Sequence, residues 1–358
     1  MLLKTIILAV FHVHFLTVVS TKETIVFEKG EEGYFCIRIP AVLTTSKGTL
    51  IAFGEARLFS CADETQIDLA YKRSTDNGKT WSKLKILVRG NETGDAYTRA
   101  GNFAPVQLRY NQRILVPFTK NNLIPMQSYS DDDGLTFSKP EIIHNITKPN
   151  WHWVAIGPPG GLLLRSNRIV IPGDYIATGG PSTSFVMIND HNGQVDKWYL
   201  GGQMTLEHYT TNECQAVELS ANNSVFVNSR TGQGVRIGSY STDGGLTFSK
   251  VRVLKTLVAP PSGCEGSSLY HASTRQLFYS GLAVTGTERT HLSLYVSKDE
   301  GENWSFIKTI YPGPSAYSSL TTLSDRSIGI LFEGGTNNAY ESLLFTIVYN
   351  ATTNQFII

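Results

Sequence analysis

The stretch Ser74-Thr75-Asp76-Asn77-Gly78-Lys79-Thr80-Trp81 recurs along the chain in four closely related versions. The other three copies read SDDDGLTF at Ser130–Phe137, STDGGLTF at Ser241–Phe248 and SKDEGENW at Ser297–Trp304. In the shared pattern S-x-D-x-G-x-(T/N)-(W/F), the Ser and Asp side chains can accept bonds from nearby backbone N–H groups, and the glycine permits a positive φ. Each copy therefore predicts a tight turn between two strands, closed by an aromatic ring anchored in apolar surface.

The spacing of these copies is nearly constant. Their third residues are Asp76, Asp132, Asp243 and Asp299, which are separated by 56, 111 and 56 residues. Because 111 is close to twice 56, a degenerate copy of the motif, called the worn copy below, is expected near position 188, where Asn189–Gly193 is followed by Trp198. Extended in both directions, the period divides the chain into six units from the end of the leader to the last residues.

Repeats of about 50 residues made of short strands indicate an all-β fold of propeller blades. Strand-like alternation at Ile67–Lys72 and Leu292–Val296 agrees with this, and no long stretch after residue 21 has helical periodicity. We therefore predict a six-bladed β-propeller of four-stranded antiparallel blades, closed by N-terminal and C-terminal strands that share one blade. A β-solenoid is the competing fold, although its repeats are usually shorter.

The 358 residues carry a formal net charge of +1, so composition gives no reason to expect nucleic acid or an anionic membrane as partner. Length alone would permit two domains, but the unbroken repeat favours one domain over residues 21–358. No linker or low-complexity tract interrupts the sequence.

The first 20 residues resemble a secretory signal peptide. Lys4 precedes an apolar run, and Val18–Ser20 is an acceptable signal-peptide cleavage site. A membrane anchor is the alternative, although the run is short for a full span. No other stretch of the sequence is apolar enough to cross a bilayer, so a secreted or lumenal protein is expected. Five N-x-(S/T) sequons agree with secretion: Asn91, Asn145, Asn222, Asn303 and Asn350.

The chain has four cysteines, Cys36, Cys61, Cys214 and Cys264. An even number outside the cell permits two disulfides with three possible connectivities, and four buried thiols are the alternative. The cysteine spacing does not suit a zinc site.

Four arginines stand in or beside apolar, strand-like sequence. They are Arg38, Arg57, Arg230 and Arg289. Such an arginine is rarely without a partner, and a structural ion pair is the ordinary explanation for any one of them. Four at similar places in different repeats instead favour one central mouth, where guanidinium groups would hold a carboxylate.

Candidate acids and a phenol follow the same logic. Asp63 lies in a loop shortly after Arg57, and Glu213 begins a probable strand. Glu341 precedes an apolar run, and Tyr317 lies in Ala-Tyr-Ser sequence. Considered singly, each also has a structural explanation, as a cap, a solvated charge or a packed ring.

The ordered combination of these elements resembles the exo-sialidases (neuraminidases) of the bacterial and animal type, in which the repeated turn is called the Asp box. The elements include Arg-Ile-Pro at Arg38–Pro40, Glu-Cys-Gln at Glu213–Gln215, Asn-Ser-Arg ending at Arg230, and Ala-Tyr-Ser around Tyr317. The resemblance covers nearly the whole chain and implies a glycoside hydrolase that acts on sialylated glycans without a metal or other cofactor.

The resemblance also implies roles for the charged residues. Arg38, Arg230 and Arg289 resemble the arginine triad that binds the carboxylate of sialic acid. Arg57 resembles the residue that contacts the O4 side of the sugar ring, and Glu341 resembles the carboxylate that orients Arg38.

For the chemistry, Asp63 resembles the general acid/base, Tyr317 the nucleophile and Glu213 its paired base. Asn102 resembles a residue near the acyl-amino pocket, and Tyr175 a contact to the glycerol tail. A neutral tyrosine avoids repulsion by the substrate carboxylate, and sialidases are the tyrosine exception among retaining glycosidases. Because a phenol with a pKa near 10 is mostly protonated at pH 7, it needs a base such as Glu213.

Two other functions fit the same residues. A trans-sialidase, inter- or intramolecular, would share the first half-reaction and differ only in the acceptor. A sialic-acid-binding propeller could keep the arginines without catalysis, although this chain has candidates for all three catalytic groups. A scaffold without a pocket would leave the arginines unexplained.

Overall fold

The computed structural model of this protein describes residues 23–93 and 98–357. The expected signal peptide, residues 1–20, lies outside the described residues and stays a prediction. No helix in the described part is long and apolar enough to cross a membrane.

Strands make up almost all of the regular structure, as the sequence predicts. The first thirteen are β1 (Thr24–Glu28), β2 (Cys36–Thr44), β3 (Leu50–Arg57), β4 (Ile67–Ser74), β5 (Lys85–Val88), β6 (Ala100–Gly101), β7 (Val106–Gln107), β8 (Ile114–Lys120), β9 (Ile124–Ser130), β10 (Glu141–Ile142), β11 (Trp151–Ile156), β12 (Leu162–Leu163) and β13 (Ile169–Ala177). The next thirteen are β14 (Ser182–Asn189), β15 (Tyr199–Met204), β16 (Cys214–Glu218), β17 (Val225–Arg230), β18 (Arg236–Ser241), β19 (Lys250–Val253), β20 (Ser267–His271), β21 (Gln276–Leu282), β22 (Thr290–Ser297), β23 (Ser305–Thr322), β24 (Ile328–Gly334), β25 (Ser342–Asn350) and β26 (Gln355–Phe356). Within residues 23–93 and 98–357, the helical segments are three 3₁₀ turns, Glu31–Gly33, Gly90–Thr93 and Val195–Lys197.

The strands form antiparallel sheets in a propeller-like arrangement. Four sheets have the orders β2-β3-β4-β5, β6-β8-β9-β10, β11-β13-β14-β15 and β16-β17-β18-β19, with β7 added to β8 and β12 to β13. The fifth sheet runs β1-β25-β24-β23-β22-β21-β20, with β26 beside β25. Its long strand β23 pairs with β22 up to Pro314 and with β24 from Ser315 onward, so two arrays of strands share it.

The N-terminal and C-terminal ends of the described chain meet in one array. β1 pairs with β25 through partners such as Thr24 with Phe345 and Glu28 with Ser342. This pairing agrees with the expectation that strands from the two ends of the chain share a blade and close the ring.

The repeated motif forms the turns predicted from sequence, each between the third and fourth strands of an array. In the first copy, Ser74 Oγ accepts the Gly78 N–H at 2.9 Å, and Asp76 Oδ1 accepts the Thr80 N–H at 2.9 Å. The copies at Asp132, Asp243 and Asp299 repeat both bonds. Gly78 has a φ of 83°, and a Cβ there would lie 2.2 Å from the Phe345 ring, so this position needs glycine.

The worn copy lies where the period predicts, between β14 and β15. Asn189 takes the place of the serine, because its Oδ1 accepts the Gly193 N–H at 3.0 Å. The aromatic rings of the turns pack on neighbouring sheets, as Trp81 does against Phe345 with centroids 5.6 Å apart. The turns therefore join the arrays to one another through the apolar layers between sheets.

Candidate active site

A phenol, a carboxylate and a guanidinium from two arrays meet at one point. Tyr317 is on β23, Glu213 precedes β16, and Arg230 ends β17. The Tyr317 hydroxyl donates a hydrogen bond to Glu213 Oε1. Arg230 Nη1 donates to Glu213 Oε2 at 2.6 Å and to the Tyr317 hydroxyl oxygen at 2.9 Å. The arrangement pairs a potential nucleophile with a base and fixes both with one cation.

The surroundings of Tyr317 keep its proton in place. Burial and the charge of Glu213 raise the pKa of Tyr317 well above its usual value, and the neighbouring Arg230 only partly opposes them. The phenol is therefore neutral at pH 7. Burial is the largest influence and disfavours the charged form of Arg230, but Glu213 and Tyr317 act in the opposite direction and, with smaller contributions from other neighbours, leave the arginine pKa raised.

Two more guanidinium groups lie around the Tyr317 ring. The Cζ atom of Arg38, on β2, is 5.5 Å from the ring centroid, and that of Arg289, just before β22, is 5.7 Å from it. Arg289 Nη1 donates to the Tyr340 hydroxyl at 3.2 Å, and Arg38 stacks over the Tyr340 ring at 4.0 Å. With Arg230, these side chains form a cluster of three cations that suits a substrate carboxylate.

The carboxylate that orients Arg38 is Glu333, on β24, and not Glu341 as the sequence suggested. Glu333 Oε1 accepts from Arg38 Nε at 2.9 Å, and Oε2 accepts from Nη2 at 3.3 Å. Glu333 is fully buried and also accepts the Tyr317 N–H at 3.2 Å. One carboxylate therefore fixes both an arginine of the cluster and the strand that carries the phenol.

Glu341 has a local role instead, so the prediction for this residue is wrong. Its carboxylate accepts backbone N–H groups of Thr336 at 2.7 Å, Asn337 at 3.1 Å and Asn338 at 3.3 Å. These bonds hold the pKa of Glu341 below its usual value and organise the turn before β25. The turn's own N–H groups occupy the carboxylate, whereas Glu333 projects from a strand toward β2.

Asp63 lies on the opposite side of the site, in the loop between β3 and β4. Its Oδ1 is 2.8 Å from Arg57 Nη1 and 3.8 Å from Arg38 Nη1, and its side chain is 65% exposed. Arg57 is buried and paired with Glu55 at 2.6 Å, and its Nη1 also donates to the Cys61 carbonyl at 2.5 Å. Arg57 therefore positions the loop as well as the acid.

The cysteines resolve into one disulfide and two thiols. Cys36, at the start of β2, is bonded to Cys61 in the acid loop. Cys214 and Cys264 are free and buried. The disulfide joins the strand that carries Arg38 to the loop that carries Asp63. The Cys36–Cys61 pair occurs in one of the three connectivities that the sequence left open, but one disulfide with two buried thiols matches neither the prediction of two disulfides nor the alternative of four thiols.

The structure places Asn102 in the site but not Tyr175. The Asn102 N–H donates to Glu55 Oε1 at 2.8 Å, and its side chain donates to Asn122 at 2.7 Å. Tyr175 stacks on Trp151 with centroids 3.8 Å apart inside its array, and its hydroxyl donates to Gln203. Its neighbour Asp174 points toward the site instead, because adjacent residues of a strand face opposite ways.

A small cavity of about 60 Å³ opens between the acid side and the phenol. Its lining residues are Ile39, Glu55, Arg57, Asp63, Ile67, Arg99, Gly101, Asn102, Asn122, Trp153, Glu213 and Tyr317. Sequence reasoning missed Glu55, Glu333 and Trp153. Glu55 and Glu333 each end an apolar strand, which is the signal that identified the arginines. In residues 23–93 and 98–357, no group of three His, Cys, Asp or Glu side chains is arranged to hold a metal ion.

Comparisons with known proteins agree with this geometry. The family model described as "BNR repeat-like domain" matches residues 40–331. A sialidase of Micromonospora viridifaciens is 28% identical over 350 residues, which cover 87% of this chain and 52% of the relative. The chain therefore spans about half the length of that bacterial relative. Sialidase-2 of Mus musculus is 27% identical over 377 residues, which cover 92% of this chain and 95% of the relative.

A solved structure supports the fold. Hadza microbial sialidase Hz136 superposes with a TM-score of 0.82 at 23% identity, over 91% of this chain and 68% of that one. The likeness extends across nearly all of the described chain.

Proposed function

We propose that this chain, which belongs to the BNR repeat-like domain family, is a retaining exo-α-sialidase. The substrates would be terminal sialic acids of glycoproteins, glycolipids or oligosaccharides. The observation that carries the proposal is the contact of Tyr317 with Glu213 and Arg230, together with two further guanidinium groups around the Tyr317 ring.

Tyr317 is the proposed nucleophile. Sialic acid bears a carboxylate on its anomeric carbon, which would repel an anionic nucleophile, whereas a neutral phenol is not repelled. Glu213 accepts the phenol proton as the Tyr317 oxygen bonds to the anomeric carbon. Arg230, bonded to both groups, limits the build-up of charge on either one.

Asp63 is the proposed acid/base. It protonates the glycosidic oxygen as the aglycone leaves, and it then removes a proton from the water that attacks the glycosyl-tyrosine. Its exposed position beside Arg57 suits a group that exchanges protons with the aglycone and with water. Two displacements at one carbon give net retention.

The guanidinium cluster of Arg38, Arg230 and Arg289 would hold the substrate carboxylate. Burial and the partner Glu333 fix Arg38 before substrate arrives, so binding costs little reorganisation. A held carboxylate also balances the oxocarbenium charge that develops in the transition state.

The site requires side chains from separate blades to converge on one central cavity, and we propose that the propeller has six blades. The count is six when the eight-stranded sheet is divided at β23. A cavity of about 300 Å³ supports this, because residues on or directly beside the inner strands of each array line it. One lining residue per array, in chain order, is Val42, Pro105, Leu162, Gln215, Ser268 and Ser319.

Secretion remains part of the proposal. The Cys36–Cys61 disulfide supports an oxidising compartment, since such bonds are rare in the reducing cytosol. The apolar leader at residues 1–20 and the five sequons point the same way.

The test is release of sialic acid from an aryl sialoside and from sialyllactose, followed over time by proton NMR. The proposal expects α-sialic acid as the first product, which then mutarotates. Initial release of the β-anomer would contradict the two-step route. Bound but uncleaved sialoside would identify a binding propeller, and anhydro or transferred sialic acid would identify a trans-sialidase.

A further inference from the structure

A buried acid, Asp174, lies beside the proposed base and has no part in the chemistry described above. It is on β13 and only 1% exposed. Its Oδ2 accepts the Trp153 indole N–H at 3.1 Å and the Asn212 side-chain amide at 3.2 Å. Its Oδ1 is buried without a hydrogen-bond partner. Both donors are neutral, which is unusual for an ionised carboxylate in the interior.

The two donors lead to different parts of the site. Trp153, on β11, lines the cavity with Glu213 and Tyr317. Asn212 immediately precedes Glu213, and its N–H donates to the Arg230 carbonyl at 2.9 Å. Asp174 therefore links two neighbouring arrays at the point where both contribute to the cavity.

We propose that Asp174 is a positioning residue, which holds Trp153 as one wall of the substrate cavity and keeps Glu213 in place through Asn212. In this arrangement the half-buried Trp153 ring is a substrate contact. An indole offers a broad, rigid apolar face for the C–H surfaces of a sugar, and its N–H needs a partner when buried. The inference rests on the proposed function.

The charge state of Asp174 follows from its neighbours. Burial, and then the negative charge of Glu213, raise the pKa of Asp174 to about 8. The side chains that face it come from four strands and the segment before β16. They are Asn212 and Glu213 before β16, Cys214 on β16, Arg230 on β17, Trp153 on β11 and Ser182 on β14. Below that pH the carboxyl is neutral, so it does not compete with Glu213 for Arg230. Above it, a second negative charge beside Glu213 would disturb the Glu213–Tyr317 pair.

Two substitutions separate the hydrogen bonds from the charge. Asp174→Asn keeps an acceptor oxygen and removes ionisation, so we expect kcat and KM at pH 6 to stay within about threefold of wild type. We expect the wild-type protein to lose activity as pH rises through about 8, and this loss should move upward or vanish in Asp174→Asn. Asp174→Leu removes the acceptor at similar volume, and it should raise KM about tenfold with a smaller effect on kcat.

A double-mutant cycle tests whether Asp174 acts through Trp153. Trp153→Phe keeps a ring in the wall but loses the N–H. If the two residues act as one unit, Asp174→Leu will add little to the KM of the Trp153→Phe enzyme. Additive effects on KM would overturn the proposal.

The chain provides a matched control in the neighbouring arrays. The Trp198 indole N–H donates to Gln127 Oε1 at 2.8 Å in a buried layer, and neither side chain lines the cavity. Gln127→Leu should lower thermal stability without changing KM or the pH profile. The same pH shift in Gln127→Leu as in Asp174→Asn would count against a specific role for Asp174.

Two further measurements do not depend on catalysis. An acid whose pKa is raised in the folded state lowers the free energy of unfolding as pH rises from its pKa in the unfolded chain, near 4, to its pKa in the folded protein. The Tm of Asp174→Asn relative to wild type should therefore increase across that pH range. The fluorescence of Trp153 can be obtained as the difference between the emission of wild type and that of Trp153→Phe. This fluorescence should change with pH near pH 8 in wild type and should not change in Asp174→Asn. If the protein is inactive on sialosides but still shows both signals, the proposed function is wrong and the link between Asp174 and Trp153 is supported. Absence of both signals in an active enzyme would sink the link alone.

Discussion

The two sides of the proposed site are built in opposite ways. On one side, Tyr317, Glu213 and Arg230 lie on or beside strands of two arrays and bond directly to one another. On the other, Asp63 lies in a loop, with its side chain 65% exposed. The difference matches the two tasks, because a nucleophile must be fixed against one carbon while an acid/base must exchange protons with the aglycone and with water.

The means of support differ as well. The phenol side relies on buried ion pairs such as Arg38 with Glu333, which cost desolvation and stay favourable only while both partners remain. The acid side relies on the buried Arg57 and on the Cys36–Cys61 disulfide. Removing one group on the phenol side should therefore have larger consequences than loosening the acid loop.

The largest expected effect is that of Tyr317→Phe. The change removes only the hydroxyl, so Arg230 and Glu213 remain paired and the fold should be kept. Without the nucleophile, kcat should fall by about a thousandfold or more. The measurement is kcat on an aryl sialoside, with circular dichroism and Tm as checks of folding.

Tyr340→Phe is the control for that loss. Tyr340 contacts Arg38 and Arg289 but does not touch Glu213. Removing its hydroxyl should therefore lower kcat by less than about tenfold. A Tyr317→Phe enzyme with nearly wild-type turnover would remove Tyr317 from the nucleophilic role and with it the contrast between the two sides.

Asp63→Asn should have the next largest effect, and one that depends on the substrate. General acid catalysis contributes about 10²–10⁴-fold when the leaving group needs a proton. The loss in kcat/KM should therefore be large for sialyllactose and small for an aryl sialoside whose phenolate leaves unaided. Equal losses on the two substrates would mean that Asp63 does not protonate the leaving group.

Much of the architecture could be predicted from sequence because it is repeated. The period of the Asp-box turns located the worn copy at Asn189, and it predicted that strands from the two ends of the chain would pair. The converging arginines could be recognised because each interrupts an apolar strand. These are local signals, visible without knowing which strands become neighbours.

Other parts of the site depend on pairings between distant strands. Glu333 and Glu341 both follow apolar or turn sequence, and only the position of β24 against β2 decides which one reaches Arg38. Tyr175 and Asp174 are adjacent, and strand register decides which one lies against Trp153 and Asn212 beside the cavity. Sequence spacing does not report these three-dimensional choices.

Glu333→Gln and Glu341→Gln turn that correction into a prediction. Glu333→Gln leaves Arg38 buried without its counter-charge, which costs about 3–5 kcal/mol when a buried pair is broken. We expect a lower Tm and a KM at least about tenfold higher, because Arg38 loses its orientation. Glu341→Gln should leave KM unchanged. Thermal melts and KM for both variants give the comparison, and a larger KM effect at Glu341 would restore the original assignment.

The smallest expected effect on activity comes from removing the disulfide in a Cys36→Ser/Cys61→Ser variant. Closing a loop of 25 residues in the unfolded chain is worth about 3 kcal/mol, so stability should fall clearly. Activity should fall only about two- to fivefold, because Arg57 still holds Asp63 and the Cys61 carbonyl. The loss should be larger for sialyllactose than for an aryl sialoside, since only cleavage of sialyllactose depends on Asp63 as an acid.

Reductant should reproduce both effects in wild type and change nothing in the variant. If the variant instead lost as much activity as Tyr317→Phe, the acid loop would be as strictly positioned as the phenol side, and the contrast between an exposed, tethered acid and a strand-held nucleophile would be lost.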